Sequence, residues 1–344
     1  MFVSNGSLVT TKTPLTFTTS SYFPYATGMS SSSWPSAYSG IYRRQLWVYV
    51  VVNKLAKATA RLPFPVYERA EKGRIRVDDH AMAQILAHPN PNLTGYDLWL
   101  WTSATKDTFG KAFWYKKRLT NRGPDGRTFD IYPLHPVHMS YDDKTQRWTF
   151  DNGKTVIKDI DPADLVPFLS FNPDSVVDGL SPLEPLRSTL ENEWSARSAT
   201  SSFWQRGARP GMALRHPKQL SAIAQERLKA QMDAAAGGSS NTGSTVVLEE
   251  GMEITTLQLT AEEAQYIETR KLNREEVCAA YDIPPPVVHI LDHATFSNIT
   301  EQMRSMYRDT MGNILPGYES TVDLHIRQAE FPGEDIYAEF LMDE

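Results

Sequence analysis

One cysteine, Cys278, stands in 344 residues. No disulfide can form within the chain, and a structural zinc site would rest mostly on histidine and carboxylate ligands. A reducing compartment fits that usage. Positive charge is also short: 35 Lys and Arg against 41 Asp and Glu leave a net charge of −6. That balance argues against a generic cationic nucleic-acid binder, which neutralises phosphates with clustered Lys and Arg. No apolar run approaches the ~20 residues of a membrane span. The longest candidate, LWVYVVVNKLA at 46–56, is interrupted by Asn53 and Lys54. The opening MFVSNGSLVTTK lacks the basic start and adjoining apolar core of a signal peptide. No GxxxxGKS or GxxxxGKT phosphate loop occurs, which sets aside an ATP-driven motor of that class.

What is present begins with 1–40, rich in Ser, Thr, Tyr and Pro and without helical or strand period. This reads as a disordered or extended arm. A sharper reading is an arm that orders on a neighbouring subunit, because Tyr22, Phe23, Tyr25, Trp34 and Tyr38 are costly to leave in water. From Tyr42 to Arg61 the spacing of Leu46, Val50, Ala56 and Ala60 predicts a helix, stopped at Leu62-Pro63. LPFPVYER then starts an extended segment. Further helices are predicted over 80–88 and 94–109. KAFWYKKRL at 111–119 reads as a strand leading into the turn NRGPDGR. Three more short strands follow, around FDIYPL, RWTFDN and LVPFLSF. Residues 40–175 thus form one α+β domain with a mostly antiparallel sheet.

The pattern then changes. Ser181, Pro182 and Glu184 have the spacing of an N-cap, a proline at N1 and an N3 glutamate. They predict a helix of about 25 residues, some 37 Å long, ending at Arg206 before Gly207. Leu183, Leu186, Leu190 and Trp194 make its stripe, which thins to Ala and Ser. So narrow a stripe predicts packing against other helices. An α/β insertion follows: a strand near 209–217, a helix over 220–236, and two strands in 244–259 around Glu250-Gly251. Thr260 and Glu263 open a charge-laced helix to about Tyr281. Pro284, Pro285 and Pro286 then forbid helix. The stretch to Asn298 reads as an exposed loop without any Lys or Arg. Asn298 and Glu301 restart a helix that runs to about Gln328, with a kink expected at Gly312 and Pro316.

Several constellations carry residue types that can do chemistry. Asp159, Asp161 and Asp164 fail the calcium-loop spacing and read as caps and turns around Pro162. His135 and His138 would not share a strand face and have no third ligand nearby. Cys278, with His289 or His293 as base, sits mid-helix among apolar neighbours, where an inert buried thiol is usual. KAFWYKKR interleaves aromatic and basic residues as single-strand binders do, but a half-buried strand with its lysines outward explains it as well. No enzyme signature remains, and no cofactor is implied.

The order of these pieces resembles the phage portal (head–tail connector) family in its compact form, over roughly 45–340. The signals are HPNPNLT with its aromatic-rich helix, DGLSPLEPLR, FWQRGARPGMAL, VVLEEGMEITTLQLTAEEAQYIETRKLNREEVCAAYDIPPPVV, and FSNITEQMRSMYRDTMGNILP. The resemblance implies an α+β portal-like subunit that is not an enzyme. Copies would form a homo-oligomer, usually a dodecamer, at one capsid vertex, with double-stranded DNA passing through its channel during packaging and ejection. It implies a wing at 41–178, stem helices at 179–207 and 260–283, a clip at 208–259 and a tunnel loop at 284–298. A kinked helix would follow at 299–330, and a crown would start at 331–344. Implied partners are DNA bound non-specifically, terminase, a head–tail adaptor and the major capsid protein, and no membrane. The implied location is the virion, with assembly in the host cytoplasm. Val287, Val288, His289, Ile290, Leu291, Asp292, His293 and Ala294 would face DNA. Arg209, Arg215, Lys218, Glu249 and Glu250 would meet terminase or adaptor. Two alternatives stay open: a metal-dependent nucleic-acid processing enzyme with carboxylates in 142–178, and a monomeric helical adaptor.

Overall fold

The computed structural model describes residues 3–4, 7–8, 34–120, 126–205, 212–215, 226–227, 253–256, 262–291 and 296–342. The chain divides into a body, 1–186 with 277–344, and an inserted unit, 187–276.

In the body, β1 (Val3–Ser4) and β2 (Ser7–Leu8) form a short antiparallel pair. Next come α1 (Trp34–Arg44) and α2 (Leu46–Arg61), separated at Gln45, whose backbone is extended. The one helix expected from Tyr42 is therefore two, and 34–40 do not belong to an arm. Tyr38 explains why: its ring meets Phe109 at 6.2 Å, and its hydroxyl donates to Glu184 Oε2 at 2.6 Å. The strands β3 (Val66–Arg69) and β4 (Arg74–Arg76) follow. Then comes α3 (Ala81–Ala87), capped by His80 Nδ1 accepting from the Met82 N–H. Helix α4 (Gly95–Phe109) starts where Thr94 and Asp97 cap each other and stops at Gly110 in the left-handed region. β5 (Lys111–Arg118), β6 (Phe129–Leu134), β7 (Met139–Asp142), β8 (Arg147–Asp151), β9 (Val156–Ile160) and β10 (Leu165–Leu169) complete the first run.

In the inserted unit, α5 (Arg187–Gln205) begins five residues later than the capping pattern predicts. Ser181 Oγ does accept from the Leu183 N–H at 3.1 Å, but the Glu184 carboxylate takes the Tyr38 hydroxyl, and 182–186 remain a turn. β11 (Met212–Arg215) pairs antiparallel with β12 (Glu253–Thr256), and α6 (Glu262–Ala280) follows. Thr189 Oγ1 donates to Glu276 at 2.5 Å and Asn273 Nδ2 to Glu193 at 3.4 Å, so α5 and α6 run antiparallel. Thr189, Glu193 and Asn273 are buried. The seam between the helices is thus partly polar, in keeping with the thin apolar stripe. The strand expected over 244–249 and most of the helix over 220–236 lie outside the described residues.

The chain re-enters the body through the last turn of α6, then forms α7 (Phe296–Ser305) and α8 (Gly312–Val322). Two wider stretches with i→i−5 bonding, Met306–Met311 and Asp323–Gln328, flank α8. Of the two positions where a kink was expected, Gly312 directly follows the first wide stretch, while Pro316 lies inside regular α8. The Gly312 N–H reaches back to the Tyr307 carbonyl just ahead of the turn that Pro316 leaves short of a donor. Strand β13 (Ile336–Ala338) pairs with β3, and Phe340 packs on Phe64 at 4.2 Å. Residues 331–342 are therefore packed into the body, at the place where a crown was expected to start.

Beside the β1-β2 pair, the described residues of the body form three three-stranded antiparallel sheets: β10-β5-β6, β13-β3-β4 and β7-β8-β9. β5 is covered on both faces. Ala112, Trp114 and Lys116 point one way, with Trp114 Nε1 donating to Thr102 of α4 at 2.7 Å. Phe113 points the other way, into a cluster with Leu134, Met139, Phe150, Ile160 and Leu165 that joins the third sheet. Trp99 of α4 touches Phe64, Trp114, Tyr318 and Phe340 with ring centroids 4.9–5.4 Å apart.

Burial on both faces also corrects the outward lysines of KAFWYKKR. Lys117 is exposed, but Lys116 is fully buried. Its Nζ donates to the His325 carbonyl at 2.9 Å and pairs with Glu330, because the segment after α8 covers that face.

Candidate functional site

The segment singled out by its prolines is built from two similar turns. Helix α6 ends before the prolines act. Asp282 adopts φ +52, the Asp282 N–H bonds the Ala279 carbonyl at 3.1 Å, and the Ile283 N–H reaches the Cys278 carbonyl at 2.9 Å. This is a Schellman cap with aspartate in the left-handed place that glycine usually takes. Pro284 then continues in extended conformation, and Pro285–Val288 form one turn of 3₁₀ helix. It closes in the same way: His289 sits at φ +65, its N–H on the Pro286 carbonyl and the Ile290 N–H on the Pro285 carbonyl, both at 3.1 Å.

Two anchors hold the segment to the body. The Tyr281 hydroxyl donates to the Asp107 carbonyl at 2.9 Å, and the Thr310 hydroxyl donates to the Asp282 carbonyl. Around the first anchor, burial pushes the Asp107 carboxyl up to about 6, partly offset by Lys106 and by the Ser103 hydroxyl. Burial likewise pushes the Tyr281 hydroxyl well above its ordinary value. Neither Asp282 nor His289 stood out as a left-handed residue in the sequence. The available signal was an Asp and a His beside prolines at the end of a helix, residue types enriched at positive φ.

The expected channel residues divide sharply. Val287, Val288 and Ile290 are buried, with Ile283 and Pro286 beside them. The exposed apolar loop expected over 287–290 is therefore corrected: its valines and isoleucine belong to the core. The turn packs against α2 and α7, and two left-handed caps fold its apolar side chains inward. His289 and Leu291 are exposed, Leu291 by 53%. Asp292, His293 and Ala294 lie outside the described residues. Nor does Asn298 restart a helix, since α7 already runs from Phe296; Glu301 lies 3.6 Å from Arg308.

Of the expected docking residues, Arg215 closes β11 in register with Glu253. Arg209, Lys218, Glu249 and Glu250 lie outside the described residues.

The candidate chemical residues serve structural roles. Asp159, at φ +50, is the extra residue where β8 and β9 shift register. Asp161 caps a 3₁₀ turn through the Ala163 N–H at 2.9 Å, and Asp164 takes Arg118 Nε at 2.6 Å. His135 Nδ1 accepts from the Val137 N–H at 3.3 Å, and burial lowers its pKa. Cys278 is fully buried. Among the described residues no three His, Cys, Asp or Glu side chains gather as a metal site. Among them, too, no helix is long and apolar enough to cross a membrane.

Comparison with known proteins matches residues 46–344 to a family model described as phage portal protein. A probable portal protein of Streptomyces phage phiC31 is 25% identical over 265 residues, spanning 73% of this chain and 55% of that protein. The neck of a native gene transfer agent particle, computed with C12 symmetry, has a chain with TM-score 0.63 at 19% identity, covering 90% of this chain and 85% of that one. An HK97-family phage portal protein from Corynebacterium diphtheriae gives TM-score 0.62 at 17% identity, covering 86% and 92%.

Proposed function

Since this chain belongs to the phage portal protein family, we propose that copies of it assemble into a ring at one capsid vertex and conduct double-stranded DNA. The observation that carries this reading is the family match over 46–344. The likeness to a neck chain from a particle computed with C12 symmetry supports a ring of about that order. In this reading α5 and α6 are the stem, and their buried polar seam of Thr189, Glu193 and Asn273 positions one helix against the other. The insertion 208–259 is the clip, where terminase and later the head–tail adaptor dock, with Arg209, Arg215, Lys218, Glu249 and Glu250 as first candidates. The capsid partner is the major capsid protein, and the assembled ring resides in the virion after assembly in the host cytoplasm.

The channel contact narrows to Leu291, His289 and the stretch 292–294. A conduit must not grip its cargo, and this stretch carries no Lys or Arg, so it forms few phosphate contacts. ATP hydrolysis belongs to the terminase. The metal-dependent nuclease draws no support from Asp159, Asp161 and Asp164, which serve as a bulge, a cap and an ion pair. Negative-stain imaging of the purified protein, with mass measurement, tests the proposal. Rings with a central hole are expected; a monomer at every concentration would sink the ring in favour of a helical adaptor.

A further inference from the structure

The loop 170–180 carries exposed apolar residues that nothing in the body requires to be exposed. Phe171 is 86% exposed and Val176 92%. This loop is pinned. Asn172 Oδ1 accepts from the Asp174 N–H at 3.0 Å. Ser175 Oγ accepts from the N–H groups of Val177 and Asp178, at 3.2 and 3.1 Å. Lys111 Nζ binds Asp178 Oδ1 at 2.5 Å. At the loop's root two glycines touch backbone to backbone: a Cβ on Gly179 would lie 1.9 Å from the Gly110 carbonyl oxygen, and one on Gly110 2.3 Å from the Leu180 carbonyl carbon. A preorganised loop that holds a phenylalanine and a valine in water is a knob made for another surface.

The same body offers a hollow lined mostly by apolar residues, with Arg76 and Asp78 also on its wall. A cavity of about 430 Å³ opens among Leu62, Pro63, Phe64, Leu86, Tyr96 and Trp99. Its walls are firm, since the Phe64 ring stands 5.1 Å from Trp99 and 4.2 Å from Phe340. The knob is rooted at Gly110, the C-terminal end of α4, and the hollow surrounds Gly95 and Tyr96, its first turn. The 15 residues of α4 hold the two about 22 Å apart.

We propose that the loop bearing Phe171 and Val176 inserts into the hollow beside Tyr96 and Trp99 on the next copy of this chain. Knob and hollow are different surfaces at opposite ends of one helix, so copies join head to tail, the kind of contact whose repetition makes a ring when the rotation between copies closes. This inference rests on the ring reading above and names one contact that makes it.

Paired cysteines test it in the full chain, whose only native cysteine is buried. Val176→Cys and Tyr96→Cys are made singly and together, then treated with a short bismaleimide. The double variant is expected to give a ladder of covalent multimers, while each single variant stays uncrosslinked. Adding Phe171→Asp to the double variant should cut the ladder at least tenfold. Covalent dimers from a single variant would overturn the proposal, because they report a two-fold contact. Rings by mass and imaging without a ladder would overturn this contact and leave the ring reading standing. A chain that stays monomeric by mass would remove the ring reading itself, and this contact with it.

Discussion

Asp107 places a carboxyl group inside the body, where burial raises its pKa to about 6. An unfolded aspartate ionises near 3.9. Below that pH both states are protonated and Asp107 costs nothing. Between about 4 and 6 the unfolded chain ionises while the folded one resists, so stability falls as pH rises, and above 6 the penalty is constant at roughly 3 kcal/mol. Asp107→Asn keeps an acceptor for the Ser103 hydroxyl, which lies 3.2 Å away. It should raise the melting temperature clearly at pH 7.5 and very little near pH 4; equal shifts at both would contradict the cause. Lys116 poses the opposite problem. Its buried ammonium is held by Glu330, which also takes Arg118 through both oxygens. Glu330→Ala strands that charge and should cost about 3 kcal/mol in urea unfolding, whereas Lys116→Met, which removes the charge, should cost much less.

At the scale of elements, the turn after α6 depends on two residues held at positive φ. Asp282→Gly relieves that conformation and should stabilise the protein by about 1 kcal/mol in denaturant titration, while Asp282→Val should destabilise it by more. The same segment separates two lysine substitutions. Ile290→Lys buries a charge and should impair folding, measured by soluble yield and melting temperature. Leu291→Lys leaves folding intact and should slow DNA packaging; normal packaging with Leu291→Lys would remove this position from the channel. Some elements were legible because their signals are local. Thr94, Asp97 and Gly110 delimit α4 from both ends, and the aromatic run of β5 reads as a strand without its partners. Others depend on what arrives from far away. Tyr38 forms part of a helix because Phe109 and Glu184 receive it. Lys116 looks like a surface residue until a segment over 200 positions later covers it. The missing charge in 287–290 fits a channel lining and a core equally well, and only the two left-handed caps decide for core.

For the whole molecule, the charge balance that argues against a DNA-gripping surface becomes a binding prediction. Duplex DNA should bind weakly, without sequence preference, with affinity falling steeply as salt rises; a tight, sequence-selective affinity would contradict a conduit. The two long helices on either side of the insertion could be read in advance, because prolines, glycines and capping residues punctuate them. The place of the last strand could not, since β13 gains its partner only through β3. That pairing has a consequence for how the protein is made. About 270 residues separate β3 from β13 along the chain. At roughly 5–20 residues per second, a ribosome leaves the outer edge of β3 open for on the order of 15 to 50 s. During that interval the nascent chain presents a bare strand edge to its neighbours on the same message. The exposed charges Glu68 and Arg69 on β3 oppose the pairing of that edge with another strand before its own partner emerges.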